Sequence, residues 1–130
     1  MNTRALSLAC LPLLAATPLL ICAQTQSEMT ASSDNALFAT EATLTKLEDR
    51  ISQRLDKEAQ AQFTADQAAW RHYRDAHCNF LSSGSERGSV YPMLVMDCRN
   101  DLTKLRIKDL KKLLNCKDGD LSCPVPNHGT

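Results

Sequence analysis

The stretch WRHYRDAHC, Trp70 to Cys78, decides how this chain folds, because it places charged, aromatic and thiol side chains at helical spacing. Trp70, Arg74 and Cys78 are four residues apart, so they lie on one face of a helix. His72 and His77 are five residues apart and share a face poorly. The spacing therefore predicts the inner seam of two packed helices rather than an active site.

The partner of this seam is a helix predicted from about Pro92 to about Asn115. Cys98, Leu102 and Leu110 lie on its apolar side at steps that are multiples of four. Between the two helices, the glycine-containing segment SSGSERGSVYP ends the first and starts the second. If the chain folds back there, Cys78 lies opposite Cys98, and we expect a disulfide between them.

The N-terminus predicts a secretory signal peptide, residues 1–23, cleaved near Ala23. It combines a basic start with a short apolar run interrupted by two prolines, a pattern that disfavours a membrane anchor. Lipidation at Cys22 is an alternative, although the lipidation motif around it is poor. A membrane would be a partner only if Cys22 were lipidated. The sequence thus predicts a periplasmic or secreted protein.

Four cysteines remain after such a cleavage, and in a small exported domain they indicate two disulfides with three possible connectivities. Besides the bond from Cys78 to Cys98, we expect Cys116 to bond Cys123 and to close the tail, residues 116–130. A metal site would need these thiols and the three histidines, but none of the usual ligand spacings occurs. We predict neither a metal nor a cofactor.

A further helix precedes the seam, from Asn35 to about Gln60, after a flexible lead-in over residues 24–34. Its apolar stripe has helical spacing and consists of Leu37, Leu44, Leu47, Ile51 and Leu55. Thr64 and Gln67 resemble a capping box for the second helix, although the preceding residues also favour a helix, so the two could be continuous. The fold class is all-α: an antiparallel helical hairpin stapled by a disulfide, with an additional N-terminal helix, over residues 35–115.

If the two helices of the hairpin pack antiparallel, particular residues of one helix lie opposite particular residues of the other. Trp70 lies opposite Arg106, and we predict that the guanidinium of Arg106 stacks on the indole. Arg74 lies opposite Leu102, where a buried arginine needs a carboxylate, either Asp101 or an acid of the first helix. A neighbouring face of the second helix is predicted to pack on the first helix; it comprises Phe63, Tyr73, His77 and Phe80.

The charge is balanced overall, with 15 basic and 15 acidic side chains, and does not indicate nucleic-acid binding. It is unevenly distributed: residues 28–66 hold eight acids and four bases, and residues 90–117 hold seven bases and three acids. We favour helices whose solvated faces complement each other; the alternative is an acidic surface for a basic partner. No nucleophile–base pair or phosphate-binding loop is present, so no enzyme is predicted.

The motif Gln67-x-x-Trp70-x-x-Tyr73-Arg74-Asp75-x-x-Cys78 is followed by Gly88-Ser89 and then by Cys98-x-x-x-Leu102-Thr103-x-x-Arg106. Together these residues resemble the LprI-like lysozyme inhibitor family of small exported bacterial proteins. The resemblance covers about residues 38–114. The chain departs from the family pattern because it lacks a cysteine just before the first helix and carries an additional pair near its end.

The resemblance implies a binding protein whose partner is a lysozyme, and lysozymes are commonly basic proteins with an acidic cleft. The motif residues, Asp101 included, look like framework, so the recognition surface lies elsewhere. We expect it in the exposed loop, at Glu86, Arg87, Gly88 and Ser89, since loops on a rigid scaffold often carry recognition. The alternative function is a structural or stress-related protein of the cell envelope with another protein partner.

Overall fold

A computed structural model of the 130-residue chain describes residues 17–117 and 119–125, with side chains from residue 25 onward. The described residues form three α-helices and one short 3₁₀ turn and contain no strand: α1 Thr17–Ser52, α2 Lys57–Ser82, the turn Ser83–Ser85, and α3 Tyr91–Leu113. The predicted all-α class is confirmed. None of these helices is long and apolar enough to span a bilayer.

The first helix begins earlier than the sequence indicated. Residues 24–34, expected to form a flexible lead-in, are helical and belong to α1. Their small polar side chains are compatible with a helix because they bond within it: the Thr30 hydroxyl donates to the Gln26 carbonyl at 2.9 Å. Residues 1–16 of the predicted signal peptide lie outside the described residues, and cleavage near Ala23 stays a prediction.

A turn over residues 53–56 separates α1 from α2, so the two helices are not continuous. Asp56 caps α2, with its side chain accepting from the Ala59 amide at 2.9 Å. The prediction of Thr64 as the cap is wrong, because its hydroxyl donates to the Gln60 carbonyl inside the helix. Gln60 in turn donates from Nε2 to the carbonyl of Ser52 at 2.8 Å, which ties the new helix to the end of α1.

Successive helices run in opposite directions, so α1 and α3 are parallel, and the C-terminal part of α1 packs against α3. The Arg54 guanidinium donates to the Leu114 carbonyl at 3.2 Å, which places the C-terminal ends of α1 and α3 side by side. The apolar core lies between these helices and consists of Leu44, Leu47, Ile51, Ile107, Leu110, Leu114 and Val125. The buried stripe of α1 is therefore the one that the sequence predicted.

Both predicted disulfides are present. Cys78 of α2 is joined to Cys98 of α3, with 5.6 Å between their Cα atoms, and Cys116 is joined to Cys123 in the C-terminal tail. The second bond lies just before Val125, which is only 3% exposed within the core. The tail thus contributes an apolar side chain to the bundle rather than merely following it.

One predicted packing face is confirmed only in part, since Phe63 packs against the core but two of its other members do not. Tyr73 and Phe80 do not pack on α1, since they are 55% and 74% exposed. The rotation of α2 about its axis is fixed by burial of Gln67, Arg74 and Cys78. With these side chains buried, Tyr73 and Phe80 point outward, and α2 contacts α1 through ion pairs as well.

The core predicts a clear contrast between two leucines. We expect Leu44→Ala to lower the free energy of unfolding by about 3 kcal/mol, because Leu44 is fully buried and the surrounding helices cannot close the cavity. Leu105→Ala is the matched control: Leu105 is 57% exposed, and its loss should cost less than about 0.5 kcal/mol. Urea denaturation of the oxidised proteins measures both, and equal losses would contradict this core assignment.

Candidate functional site

Arg74 lies within the motif of α2 that runs from Gln67 to Cys78, and it is buried, with a side chain only 6% exposed. Its Nη1 donates to a Glu41 carboxylate oxygen of α1 at 2.8 Å and to the Thr103 hydroxyl of α3 at 3.0 Å. The predicted pairing with an acid of the first helix is confirmed. Asp101, the other carboxylate considered, pairs with Lys104 on the exposed side of α3 instead.

Trp70 lies between two arginines. The guanidinium carbons of Arg74 and Arg106 are 5.2 and 5.6 Å from the centre of the indole, so the predicted stacking of Arg106 is confirmed. Arg106 also donates from Nε to the Gln67 side-chain oxygen at 3.2 Å and pairs with Asp66. Each cation over the ring therefore also has hydrogen-bonding partners, which offsets the cost of removing it from water.

Asp75 continues this network toward α3. It pairs with the adjacent Arg74 at 2.9 Å and with Arg99 at 3.2 Å. Tyr73 is the exception within the motif, because its ring lies outside and stacks on His77 with 5.3 Å between centroids. Apart from Tyr73 and Asp101, the motif residues of α2 and α3 bond or pack between helices and leave no reactive group directed into a cleft.

The sequence reasoning predicted an acid of the first helix for Arg74 without identifying it, and it missed the pair between Arg71 and Glu48. Glu41 and Glu48 of α1 receive Arg74 and Arg71 of α2, at 2.8 and 2.7 Å. A signal was present: the two acids are seven residues apart, two helical turns, and flank the buried stripe. Thr103, the third partner of Arg74, lies one residue beyond the Leu102 that the register predicted.

The connector between α2 and α3, residues 83–90, carries the predicted partner-binding residues. Glu86, Arg87, Gly88 and Ser89 are all exposed. The backbone is held by its own hydrogen bonds, including Gly88 N–H to the Ser85 carbonyl at 2.7 Å. A Cβ on Gly88 would lie 3.2 Å from that carbonyl oxygen, so the tight turn favours glycine.

Half of the eight acidic residues between positions 28 and 66 already have partners within the fold. Glu41, Glu48 and Asp66 pair with arginines of α2 and α3, and Asp56 caps α2. This agrees with the favoured interpretation, in which charged helix faces complement each other within the fold. The acidic part of the chain therefore offers less free charge to a partner than its composition suggests.

Two exposed carboxyls have a pKa below the usual range. The hydrogen bond and positive charge of Lys112 lower the pKa of Asp109, and the hydroxyl and amide of Ser122 lower the pKa of Asp120. Each partner stabilises the ionised carboxylate. Both groups lie on the surface of α3 or its tail, away from the motif and the connector.

An apolar cavity of about 230 Å³ opens between the start of α2 and the C-terminal tail. Leu55, Phe63, Leu113 and Val125 contribute to its lining. Its volume is below the roughly 300 Å³ at which small-molecule pockets usually begin. Among the residues whose side chains are described, no group of three or more His, Cys, Asp or Glu side chains could hold a metal ion.

Comparison with known proteins places this geometry in a family. The family model described as "Lysozyme inhibitor LprI" matches residues 22–110, more than half of the chain. A segment of 48 residues is 42% identical to an uncharacterized protein of Rhizobium meliloti (strain 1021), covering 37% of this chain and 34% of that protein. The aligned segment thus spans about a third of that relative's length. No solved structure matches the chain.

The Arg74 network predicts a large effect of removing one charge. We expect Arg74→Met to lower the free energy of unfolding by about 3 kcal/mol, since Thr103 and Glu41 lose a buried partner. Lys112→Met removes an exposed pair with Asp109 and should cost less than about 0.5 kcal/mol. Thermal unfolding followed by circular dichroism compares the two, and an unchanged midpoint for Arg74→Met would contradict the assigned role.

Proposed function

The chain belongs to the LprI lysozyme-inhibitor family, and on this basis we propose that it is an exported binding protein that inhibits a lysozyme. Its recognition surface is the connector, residues 83–90, together with the apolar end of α2. This family is one of inhibitors rather than of catalysts. The proposal fits a motif whose polar groups bond to one another instead of facing a cleft.

The observation that carries the proposal is the composition of this end of the hairpin. Phe80 and Leu81 are 74% and 60% exposed and directly precede the charged connector. Large apolar side chains that remain exposed beside polar ones are typical of protein-binding surfaces. Glu86 and Arg87 supply that polar rim, and neither forms an ion pair within the described part of the chain.

The scaffold beneath this surface is rigid. The bond between Cys78 and Cys98 joins the helices within two turns of the connector, and the connector's backbone bonds to itself. A preformed loop loses little conformational freedom when it binds, which favours affinity. Such a loop can contact a cleft without reordering the helices behind it.

The test is a lysozyme turbidity assay on a suspension of bacterial cell walls with the purified, oxidised protein. We use hen egg-white lysozyme first and then lysozymes of other classes. We expect inhibition at micromolar concentration or below. Replacing Glu86 and Arg87 by alanine, together with Phe80→Ala, should weaken inhibition by about tenfold or more, as loss of central contacts does.

The matched control replaces exposed residues at the opposite end of α2, Lys57→Ala and Glu58→Ala. This variant should inhibit as the unmodified protein does, and both variants should keep the helical circular-dichroism signal. If no lysozyme class is inhibited, the proposed activity is wrong. If inhibition persists after the connector changes, the surface lies elsewhere on the molecule.

A further inference from the structure

The side of the bundle formed by α1 and α3 carries two rows of basic side chains. Along α1 and the turn that follows it, Lys46, Arg50 and Arg54 follow one another at steps of four, and on α3 the steps are four and three. We call these six residues the basic face: Lys46, Arg50, Arg54, Lys104, Lys108 and Lys111. All are exposed except Arg54, which is half-buried because it reaches the Leu114 carbonyl.

The two rows lie on the same side of the helix pair. On α3, Lys104, Lys108 and Lys111 each directly follow a buried residue: Thr103, Ile107 and Leu110. Of these, Ile107 and Leu110 belong to the core shared with α1. Along α1 and the turn that follows it, each basic residue directly precedes an inward-facing residue: Leu47, Ile51 and Leu55. One residue corresponds to about 100° around a helix. Because α1 and α3 are parallel and face each other, a residue that follows an inward-facing position on α3 points to the same side as a residue that precedes one on α1. Both basic rows therefore lie on one side of the helix pair.

The other side of the pair is covered by α2, which confirms this assignment. Glu48, which follows Leu47, bonds to Arg71 of α2, and Arg106, which precedes Ile107, pairs with Asp66 of α2. The basic face is therefore opposite α2 and separate from the outward-facing aromatic residues of that helix.

Few acids neutralise the basic face. Asp101 pairs with Lys104 at 3.1 Å, and Asp109, which pairs with Lys112, is close enough to Lys108 for that charge to help lower its pKa. Asp97 lies further toward the start of α3, and the exposed Asp49 is next to Arg50 in the sequence. The other exposed members of the face form no ion pair within 4 Å among the residues whose side chains are described: Lys46, Arg50, Lys108 and Lys111. These cations remain available to a partner of opposite charge.

We propose that the basic face docks the protein on a bilayer surface that contains anionic phospholipids. Two parallel helices side by side form a flat array about 10 Å wide and about 10 Å long, without a groove. Such an array can reach several headgroups of a planar surface at once, and basic side chains near an anionic bilayer strengthen binding. A basic lysozyme would be repelled there, so this contact is distinct from the proposed inhibitory surface.

The test is co-sedimentation of the exported, oxidised protein with vesicles. One set is pure phosphatidylcholine, and the other contains about one third phosphatidylglycerol. We expect binding only to the anionic set, and a strong loss in 0.5 M sodium chloride, since salt screens exposed charges. The variant Lys108→Glu/Lys111→Glu should bind more than about 25-fold more weakly, because each basic side chain contributes about fivefold.

Two matched single variants distinguish an effect of the basic face from an effect of the protein's net charge. Lys108→Glu should weaken vesicle binding at least about fivefold, whereas Lys57→Glu on α2 makes the same charge change and should stay within about twofold. Equal binding to both vesicle sets, or full binding by the double variant, overturns the proposal. Binding to soluble polyphosphate without binding to vesicles also overturns it. Lysozyme inhibition by the same variants is a separate measurement, so failure of either function is recognisable.

Discussion

A single buried cation, the guanidinium of Arg74, constrains the whole bundle. It extends from α2, bonds to Glu41 of α1 and Thr103 of α3, and lies against the indole of Trp70. A charge removed from water is tolerated only when its partners are in place. All three helices must therefore be assembled in one register before this residue is satisfied, and an assembly that lacks either α1 or α3 leaves it with too few partners.

The same constraint explains which parts of the fold could be predicted from sequence. The seam from Trp70 to Cys78 was predictable because helical spacing aligns side chains and the disulfide fixes the register. The identity of the acid on α1 was not, because the rotation of α1 relative to α2 depends on packing across all three helices. The outward position of Tyr73 and Phe80 has the same cause, since their spacing fits either of two neighbouring faces.

The residue at which each helix begins depends on which of several local sequence signals for a helix start is the strongest. Asp56 and Thr64, the latter with Gln67 three residues on, are both residue types that can cap a helix. Asp56 caps α2 because a start at this position adds about two turns of helix over the helix-forming segment between the two residues. The polar residues before Asn35 indicated a lead-in, yet they are helical, and the Thr30 hydroxyl bonds to the preceding turn. For the candidate binding residues, the sequence indicated an exposed loop but could not show how firmly its backbone is held.

The arrangement separates framework from surface. Most residues of the family motif make contacts inside the bundle, so variation outside the motif can change what is bound without altering the fold. The outer residues of α2 lie on the side of the bundle opposite the basic face, and the connector lies at the end of the hairpin. A protein organised in this way can be held on one side and still present the opposite side to a second molecule.

The position of Val125 links the order of assembly to oxidation. This residue completes the core between α1 and α3, but it follows α3 by twelve positions and is held close by the bond between Cys116 and Cys123. In a reducing compartment the tail is free to leave, and the hairpin also lacks its staple. The reduced chain is then less stable, and oxidation of the thiols favours the contact of Val125 with the core.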